Sequence, residues 1–189
     1  MANIFLRTAV RTWFTLTSRD QVSLQIQKLC DRYLALTALI DAESGILVVH
    51  VPKMIGVDED MRDWSFFKIL EHNVIVNRSF TSIIESMVRS EEPEGAGAID
   101  MKRDVMPSEN PGIEQIESFR NSVTEHIKVV SNFQYLRDTP TKHHPVFGEF
   151  NAHQWHCMFG FHLFVHYKQA KYIISKITEN KAVKDRRNN

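Results

Sequence analysis

Cysteine is scarce in this sequence of 189 residues, and its scarcity excludes two classes of small protein. The two cysteines, Cys30 and Cys157, cannot build a disulfide framework. They also lack the Cys-x-x-Cys spacing that a structural zinc site requires. A reducing compartment suits such a chain, so we predict a cytoplasmic protein.

An excess of charge of either sign is also absent, because 23 lysines and arginines balance 23 aspartates and glutamates. Proteins that bind DNA or RNA carry a basic surplus, so we predict no nucleic-acid partner. No uncharged run after the N-terminal segment is long enough to cross a bilayer as a helix, which predicts no membrane partner. In that N-terminal segment, Arg7 and Arg11 interrupt the apolar residues, and we expect it to belong to the folded domain. A mitochondrial leader is the alternative, since no acid precedes Asp20.

Four segments repeat apolar residues at spacings of three and four, which is the pattern of a helix with one buried face. They cover residues 18–40, 65–87, 110–133 and 151–177. Four such helices predict an all-α fold, a four-helix bundle with long connecting loops. We assign residues 1–180 to a single domain and residues 181–189 to a polar, solvated tail.

Capping residues support the starts of these helices. Ser18 with Gln21, and Asn151 with Gln154, have the spacing of a capping box, and Ser65 is a candidate N-cap for the second helix. Asn110-Pro111 predicts the start of the third helix, because proline suits the first helical position.

Two connections between the predicted helices have distinct compositions. Residues 45–52 have strand character without an obvious pairing partner, so we predict an extended linker there. Residues 90–110 mix proline, glycine and acids, which predicts a mobile loop at one end of the bundle. A bundle with a small added hairpin is the alternative architecture.

Two histidines lie one turn apart on the apolar stripe of the fourth helix. The stripe consists of Trp155, Phe159, His162, His166, Gln169 and Ile173. Because a buried imidazole must find a partner, and residues four apart share a helix face, His162 and His166 are candidates to bind one metal ion. His72 lies on the apolar face of the second helix and is the candidate third ligand. Three neutral histidines leave a coordination position open, as in catalytic zinc sites.

The alternative interpretation is a set of core histidines with satisfied hydrogen bonds, since no glutamate follows His162 as it does in zinc proteases. Three further residues are candidates around the site. Gln169 is a second-shell or substrate candidate, or else a core-edge amide. His126 could face the site from beside the seam of the third helix, and the Tyr33 hydroxyl could point at metal-bound water, although packing is the simpler role for Tyr33.

The other histidines and Cys157 are expected to play no part in the site. We predict that Cys157 is a small buried hydrophobe, because nothing basic beside it would lower its pKa. The remaining histidines are expected in loops or on outer faces, and they are His50, His143, His153 and His156.

Several of these residues together resemble the DinB/YfiT-like superfamily of metal-binding four-helix bundles. The marks are Trp64-Ser65 opening a helix, Ile69-Leu70-Glu71-His72 within it, His144-Pro145-Val146-Phe147-Gly148, Trp155, and His162-x-x-x-His166-x-x-Gln169. The Pro-x-Phe-Gly turn is most similar to a little-characterised branch. Lys68 departs from the family, where glutamate would reach back to the Ser65 cap, and no additional histidine adjoins His166.

The resemblance implies a divalent ion, zinc or nickel, held by His72, His162 and His166. It also implies that a low-molecular-weight thiol is a candidate cofactor, because other branches include thiol-dependent transferases and an isomerase. In such a mechanism a thiol activated at the metal attacks an electrophilic small-molecule substrate.

Two functions therefore follow from the sequence. The first is a metal-dependent enzyme, a transferase that uses a thiol or a simple hydrolase. The alternative is a non-catalytic, metal-binding module associated with stress, which binds or assembles with an unknown partner. Bundles with one apolar outer face commonly pair, so a homodimer is an expected assembly.

Overall fold

The computed structural model describes residues 4–91 and 104–188, and most of them are helical, as an all-α fold requires. A 3-10 helix at Glu59–Met61 precedes the second strand. The helices are α1 Ile4–Leu16, α2 Arg19–Thr37, α3 Ala42–Gly45, α4 Phe66–Arg89, α5 Gln115–Ser131 and α6 Ala152–Asn188. The strands are β1 Val49–His50, β2 Asp63–Trp64, β3 Lys142–His144 and β4 Gly148–Phe150.

The four long helices α2, α4, α5 and α6 pack around a common apolar core. Helix α4 contacts α5 and α6, and α2 contacts the same two helices from the other side. Their apolar stripes supply most of the core, including fully buried Ile26, Ile69, Phe119 and Phe159. Burial of such stripes is the main stabilising contribution to a helical fold.

Side-chain contacts between the helices define their directions. Helices α2 and α6 run parallel, because Ser23 meets His156 and Tyr33 meets Leu163 further along both helices. Helices α4 and α5 are also parallel, as shown by the bonds that join residues 77 and 81 of α4 to residues 122 and 126 of α5. A parallel pair cannot be joined by a tight turn, so helices α4 and α5 need a connection of more than a few residues.

The predicted capping boxes at Ser18 and Asn151 are both confirmed. The Ser18 hydroxyl accepts from the Gln21 amide at 3.2 Å, and the Gln21 side chain accepts from the Ser18 amide at 2.9 Å. Asn151 and Gln154 make the same reciprocal pair at 2.9 and 3.1 Å. Ser65 caps α4 as predicted, accepting from the amide of residue 68 at 3.2 Å. Two backbone donors that the helix itself cannot pair are thereby satisfied at each capping box.

The predicted start of the third helix at Asn110-Pro111 is wrong, because α5 begins at Gln115. Gly112 follows the proline and favours helix poorly, and its amide donates instead to the Glu114 carboxylate at 2.9 Å. A local side-chain bond of this kind competes with the first helical turn.

The N-terminal segment forms α1, a helix that the sequence analysis left without a structure. Helix α1 packs against α6, and its Phe14 is fully buried. Arg137 closes its C-terminal end by donating to the carbonyls of Thr15 at 3.0 Å and Thr17 at 2.9 Å. Because the last carbonyls of a helix have no partner within it, this arginine satisfies groups that would otherwise remain unpaired.

The extended linker predicted over residues 45–52 is wrong in one respect, since β1 within it pairs with β2. Val49 lies opposite Trp64 and His50 opposite Asp63 in an antiparallel pair. A second hairpin pairs β3 with β4, as the alternative architecture expected. Residues 92–103 of the loop predicted over 90–110 lie outside the described residues.

Helix α6 continues to Asn188, through most of the segment expected to be a tail. Lysine, arginine and alanine are good helix formers, which explains the continuation. Lys181 also lies 3.6 Å from the carboxylate of Asp41. Among the described helices, none is both long enough and apolar enough to traverse a membrane.

Candidate metal centre

Helices α4 and α6 bring His72, His162 and His166 together, with one potential ligand atom of each within 4.8 Å of the others. The ring centroids lie 4.5 to 5.0 Å apart. Nε2 of His72 and Nε2 of His162 are separated by 3.1 Å. The antiparallel packing of α4 on α6 explains the meeting, since one residue of α4 faces two successive turns of α6.

Hydrogen bonds to neighbouring segments orient two of the three rings. Nδ1 of His72 donates to the carbonyl of Val105 at 2.7 Å, which leaves Nε2 of the neutral ring with its lone pair. Nδ1 of His166 donates to the side-chain oxygen of Gln169 at 2.9 Å, and the Gln169 amide donates to the Met61 carbonyl at 2.7 Å. Both neutral rings therefore keep the lone pair on Nε2, the nitrogen through which each could bind a metal ion.

The site is enclosed by apolar and aromatic side chains. Trp64, itself buried, lies 5.2 Å from His72 and 6.5 Å from His166 between ring centroids, and Phe80 meets the edge of His162 at 6.0 Å. His72 and His166 are each 2% exposed, whereas His162 keeps partial contact with solvent. Of the three residues, His162 is therefore the least buried.

Burial keeps all three imidazoles neutral, which is the form that binds metal. Removal from water lowers the pKa of His72 to about 4 and that of His166 to about 3. The pKa of His162 is also well below its ordinary range, first because of burial and then because His166 and His72 lie beside it. A metal ion would thus compete with few protons near neutral pH.

The geometry of the three rings suits a divalent ion that prefers nitrogen ligands. Two nitrogens bound tetrahedrally to one zinc ion at about 2.0–2.1 Å lie roughly 3.3 Å apart, close to the spacing of Nε2 in His72 and His162. The Nδ1 atom of His162 is buried and has no hydrogen-bond partner within the described ranges. Of the three rings, His162 is therefore the one with a buried nitrogen that no hydrogen bond within the described ranges satisfies, and an ion bound at Nδ1 would supply the missing partner.

Gln169 occupies the position expected of a second-shell residue, but Tyr33 and His126 do not join the three rings. The buried Tyr33 hydroxyl donates to the Leu163 carbonyl at 3.1 Å and accepts from Asn73 at 3.2 Å, so it is not directed at the site. Its ring packs against aromatic neighbours, the simpler role expected for it.

His126 belongs to a separate buried network with His156, and the expectation of a loop or outer-face position for His156 is wrong. Nε2 of His126 lies 2.9 Å from Nδ1 of His156, whose Nε2 lies 3.2 Å from the Ser23 hydroxyl. Nδ1 of His126 is 2.9 Å from the Thr81 hydroxyl, which donates to the Asn77 carbonyl at 2.7 Å. The Thr81 hydroxyl donates its single proton to Asn77, so it can only accept from Nδ1 of His126. Nε2 of His126 then accepts from Nδ1 of His156, and Nε2 of His156 accepts from the Ser23 hydroxyl.

His153 is also buried, contrary to the same expectation, and lies where α6 meets the end of α1. Its Nε2 is 3.1 Å from the carbonyl of Phe14 and 3.5 Å from the thiol of Cys157. Cys157 is buried as predicted, and burial raises the pKa of its thiol to about 12. Exposed His50 and His143 pair with Asp63 and Glu149.

Sequence reasoning missed several groups around the three rings. The carbonyls of Met61 and Val105 come from connections, where no side-chain pattern marks a backbone acceptor. Trp64 and His144 were noted only as part of a family resemblance. His144 is buried against Trp155, and both hydrogen bonds to its Nδ1 come from the amides of the following turn.

Compared with models of known protein families and with curated proteins, the sequence matches none.

Proposed function

We propose that the protein binds one divalent metal ion through His72, His162 and His166 and uses it in catalysis. The observation that carries the proposal is the convergence of three neutral imidazoles within 4.8 Å of one another, two of them held in the coordinating tautomer. Three histidine ligands with one partly exposed side leave room for a further ligand, as in catalytic zinc sites.

The residues of this chain supply orientation and exclusion of water. Val105 and Gln169 hold the protons of His72 and His166 on Nδ1, so that Nε2 stays available. Trp64 and Phe80 cover the buried side of the rings, which leaves approach past His162. The bound ion would act as a Lewis acid that lowers the pKa of a coordinated water or thiol.

For the reaction class, we propose group transfer to or from a small electrophilic molecule with a low-molecular-weight thiol, or a simple hydrolysis. The ion in this proposal is zinc or nickel, both of which accept imidazole ligands. The fold would be the DinB/YfiT-like four-helix bundle. Support for that fold comes from the motifs around His72 and His166. Two free cysteines agree with a cytoplasmic setting.

A second candidate is a non-catalytic module in which the ion fastens α4 to α6. The observation that favours it is the depth of the site, since His72 and His166 are almost wholly buried. A structural ion would have a closed shell and exchange slowly, whereas a catalytic ion would accept an added ligand.

Elemental analysis of the purified protein tests the proposal. We expect one equivalent of zinc or nickel per chain, and loss of the ion in His72→Ala and His162→Ala. The matched control is His143→Ala, which removes an exposed imidazole outside the site and should leave the metal content unchanged. A full equivalent retained after His162→Ala would overturn the proposed ligand set.

Cobalt substitution then separates the two candidates. Cobalt(II) bound by three histidines changes its visible absorption when a small thiol enters the open position. A spectrum that responds to the thiol supports the catalytic function. A spectrum unaffected by thiols and small anions would favour the closed, structural site.

A further inference from the structure

A groove of about 310 Å³ lies between α1, α2 and α6, on a different face of α6 from the three histidines. Its size falls at the lower end of the range for small-molecule sites. The apolar part of its lining consists of Trp13, Leu29, Phe161 and Phe164. Nothing in the proposed metal chemistry uses these residues.

The floor of the groove is made where α2 and α6 approach closely. Gly160 lies on the floor, and a Cβ atom at this position would come within 3.2 Å of Ile26 on α2. The absence of a side chain at Gly160 therefore allows both the close contact of the helices and the depth of the groove.

The walls of the groove expose aromatic surface that the fold does not cover. Trp13 is 39% exposed and Phe164 is 43% exposed, while Trp64 and Trp155 elsewhere in the protein are almost wholly buried. Two partly exposed aromatic rings that border the same concavity are typical of ligand sites. Apolar residues scattered singly on a flat surface would not form such a site.

The rim of the groove carries positive charge, and no acidic residue is among those that line it. Lys28 and Arg32 line it one turn apart on α2, and within residues 4–91 and 104–188 neither forms an ion pair or a side-chain hydrogen bond. On α6, the ammonium group of Lys168 lies 4.4 Å above the ring of Phe164. Lys168 itself does not line the groove, so the cations of its rim are the two on α2, next to the apolar lining.

We propose that this groove binds a small hydrophobic carboxylate, with its apolar body against Trp13 and Phe164 and its carboxylate at Lys28 and Arg32. An arginine and a lysine one turn apart can both donate to one carboxylate. The site is independent of the metal centre, and the failure of either proposal leaves the other standing.

The shape and charge of the groove favour this ligand over a larger partner. The concavity holds a single small body, whereas a membrane or a protein surface would need a broad apolar patch. The basic rim selects an anion, and the apolar lining selects against strongly hydrated anions such as inorganic phosphate.

A titration with 4-phenylbutyrate tests the proposal, with the neutral 4-phenylbutyramide as a matched ligand. Because Trp13 is the exposed tryptophan, its fluorescence should shift to shorter wavelength as the ligand binds, and Trp13→Phe should abolish the shift. We expect one carboxylate per chain, and an affinity for the amide at least fivefold weaker.

The variant K28E/R32E should weaken binding of the carboxylate about tenfold, because both exposed ion pairs are lost. Binding of the amide should stay within twofold. The matched control is R78E/K184E, which makes the same change in net charge on exposed residues of α4 and the far end of α6. This control should bind both ligands as the unaltered protein does, and circular dichroism verifies that each variant is folded.

Three results would overturn the proposal. The first is equal affinity for the carboxylate and the amide, and the second is equal weakening by the two double variants. The third is occupation of the groove by something larger. If the groove is instead a dimer interface, sedimentation would show a dimer that K28E/R32E dissociates. If it is a membrane-binding surface, vesicles with anionic lipid would shift the emission of Trp13 and phenylbutyrate would not.

Discussion

Nε2 of His72 lies 3.1 Å from Nε2 of His162, and the two residues are 90 positions apart in the sequence. The proton of neutral His72 is committed to the Val105 carbonyl. Only two arrangements therefore suit the pair of nitrogens, a proton donated by His162 or a cation bound by both. This relationship makes the two rings sensitive to whether a metal ion is present.

Replacing Gln169 with leucine tests the support of His166. The change removes the acceptor for Nδ1 of His166 and leaves the Met61 carbonyl without its donor. Because a second-shell partner orients its ligand, we expect metal affinity to fall by about 10–100-fold. Competition with a chromophoric chelator measures the affinity. Gln27→Leu, an exposed change on α2, is the control, and equal affinities in both variants would contradict the role of Gln169.

Removal of the metal should lower stability without unfolding the chain. An ion present at about 1,000 times its dissociation constant adds ~4 kcal/mol to the free energy of unfolding. The apolar core does not depend on the ion, so far-ultraviolet circular dichroism should be unchanged after chelation while the melting temperature falls. His162→Ala should melt at the same temperature with and without chelator. A melting temperature of the unaltered protein that ignores the chelator would contradict metal binding.

Acid should destabilise the fold through the buried network of His126 and His156. Burial is the main reason that the pKa of His156 is lowered from its ordinary value of 6.5 to about 4. The Arg19 carbonyl beside the ring partly offsets this effect, and the charges of His153 and Arg19 lower the pKa slightly further. Between these two pH values the unfolded chain binds the proton and the folded chain does not. Stability is therefore complete above pH 6.5 and declines as the pH falls towards 4.

The expected contribution of His156 to this decline is about 3 kcal/mol. Urea denaturation at several pH values, in the presence of chelator, measures it, because bound metal would add its own pH dependence. His156→Gln should reduce the slope of stability against pH, whereas Ser23→Ala, which keeps the imidazole, should not. Identical slopes for the unaltered protein and His156→Gln would show that this ring is not buried in its neutral form.

Arg137 should determine how firmly α1 is attached. Its guanidinium donates to the Thr15 and Thr17 carbonyls and also lies 3.0 Å from His153. We expect Arg137→Ala to increase amide hydrogen exchange in α1 at least tenfold, while α4 exchanges as before. Arg137→Lys should restore little protection, because an ammonium group cannot reproduce the planar two-carbonyl bond. Unchanged exchange in α1 after Arg137→Ala would contradict this role.

The sequence predicted the helices best where two independent signals coincide. At Ser18 and Asn151, a capping box directly precedes an apolar repeat, and α2 and α6 begin where predicted. At Asn110-Pro111 the predicted cap is followed by Gly112, a poor helix former. The Gly112 amide donates to the Glu114 carboxylate, and α5 begins later, at Gln115. Helix α1 was not predicted, because Arg7 and Arg11 were interpreted as features of a possible mitochondrial leader and not as the polar face of a helix.

For the candidate site, the sequence predicted which histidines point inwards from their spacing on α4 and α6. Whether their role is to bind metal stays a prediction. Spacing failed for His156, which was assigned to an outer face although α6 is surrounded by helices near its start and has no solvent side there. Backbone acceptors such as Val105 leave no signal in a sequence, because any residue can supply a carbonyl.

The parallel course of α4 and α5 has a consequence for how such a site can be built or altered. If these helices were antiparallel neighbours, a turn of a few residues could join them, and no chain would pass beside His72. The longer connection instead includes Val105, whose carbonyl accepts from the imidazole. Shortening that connection by design would therefore change the basicity of a ring whose own helix had been left intact.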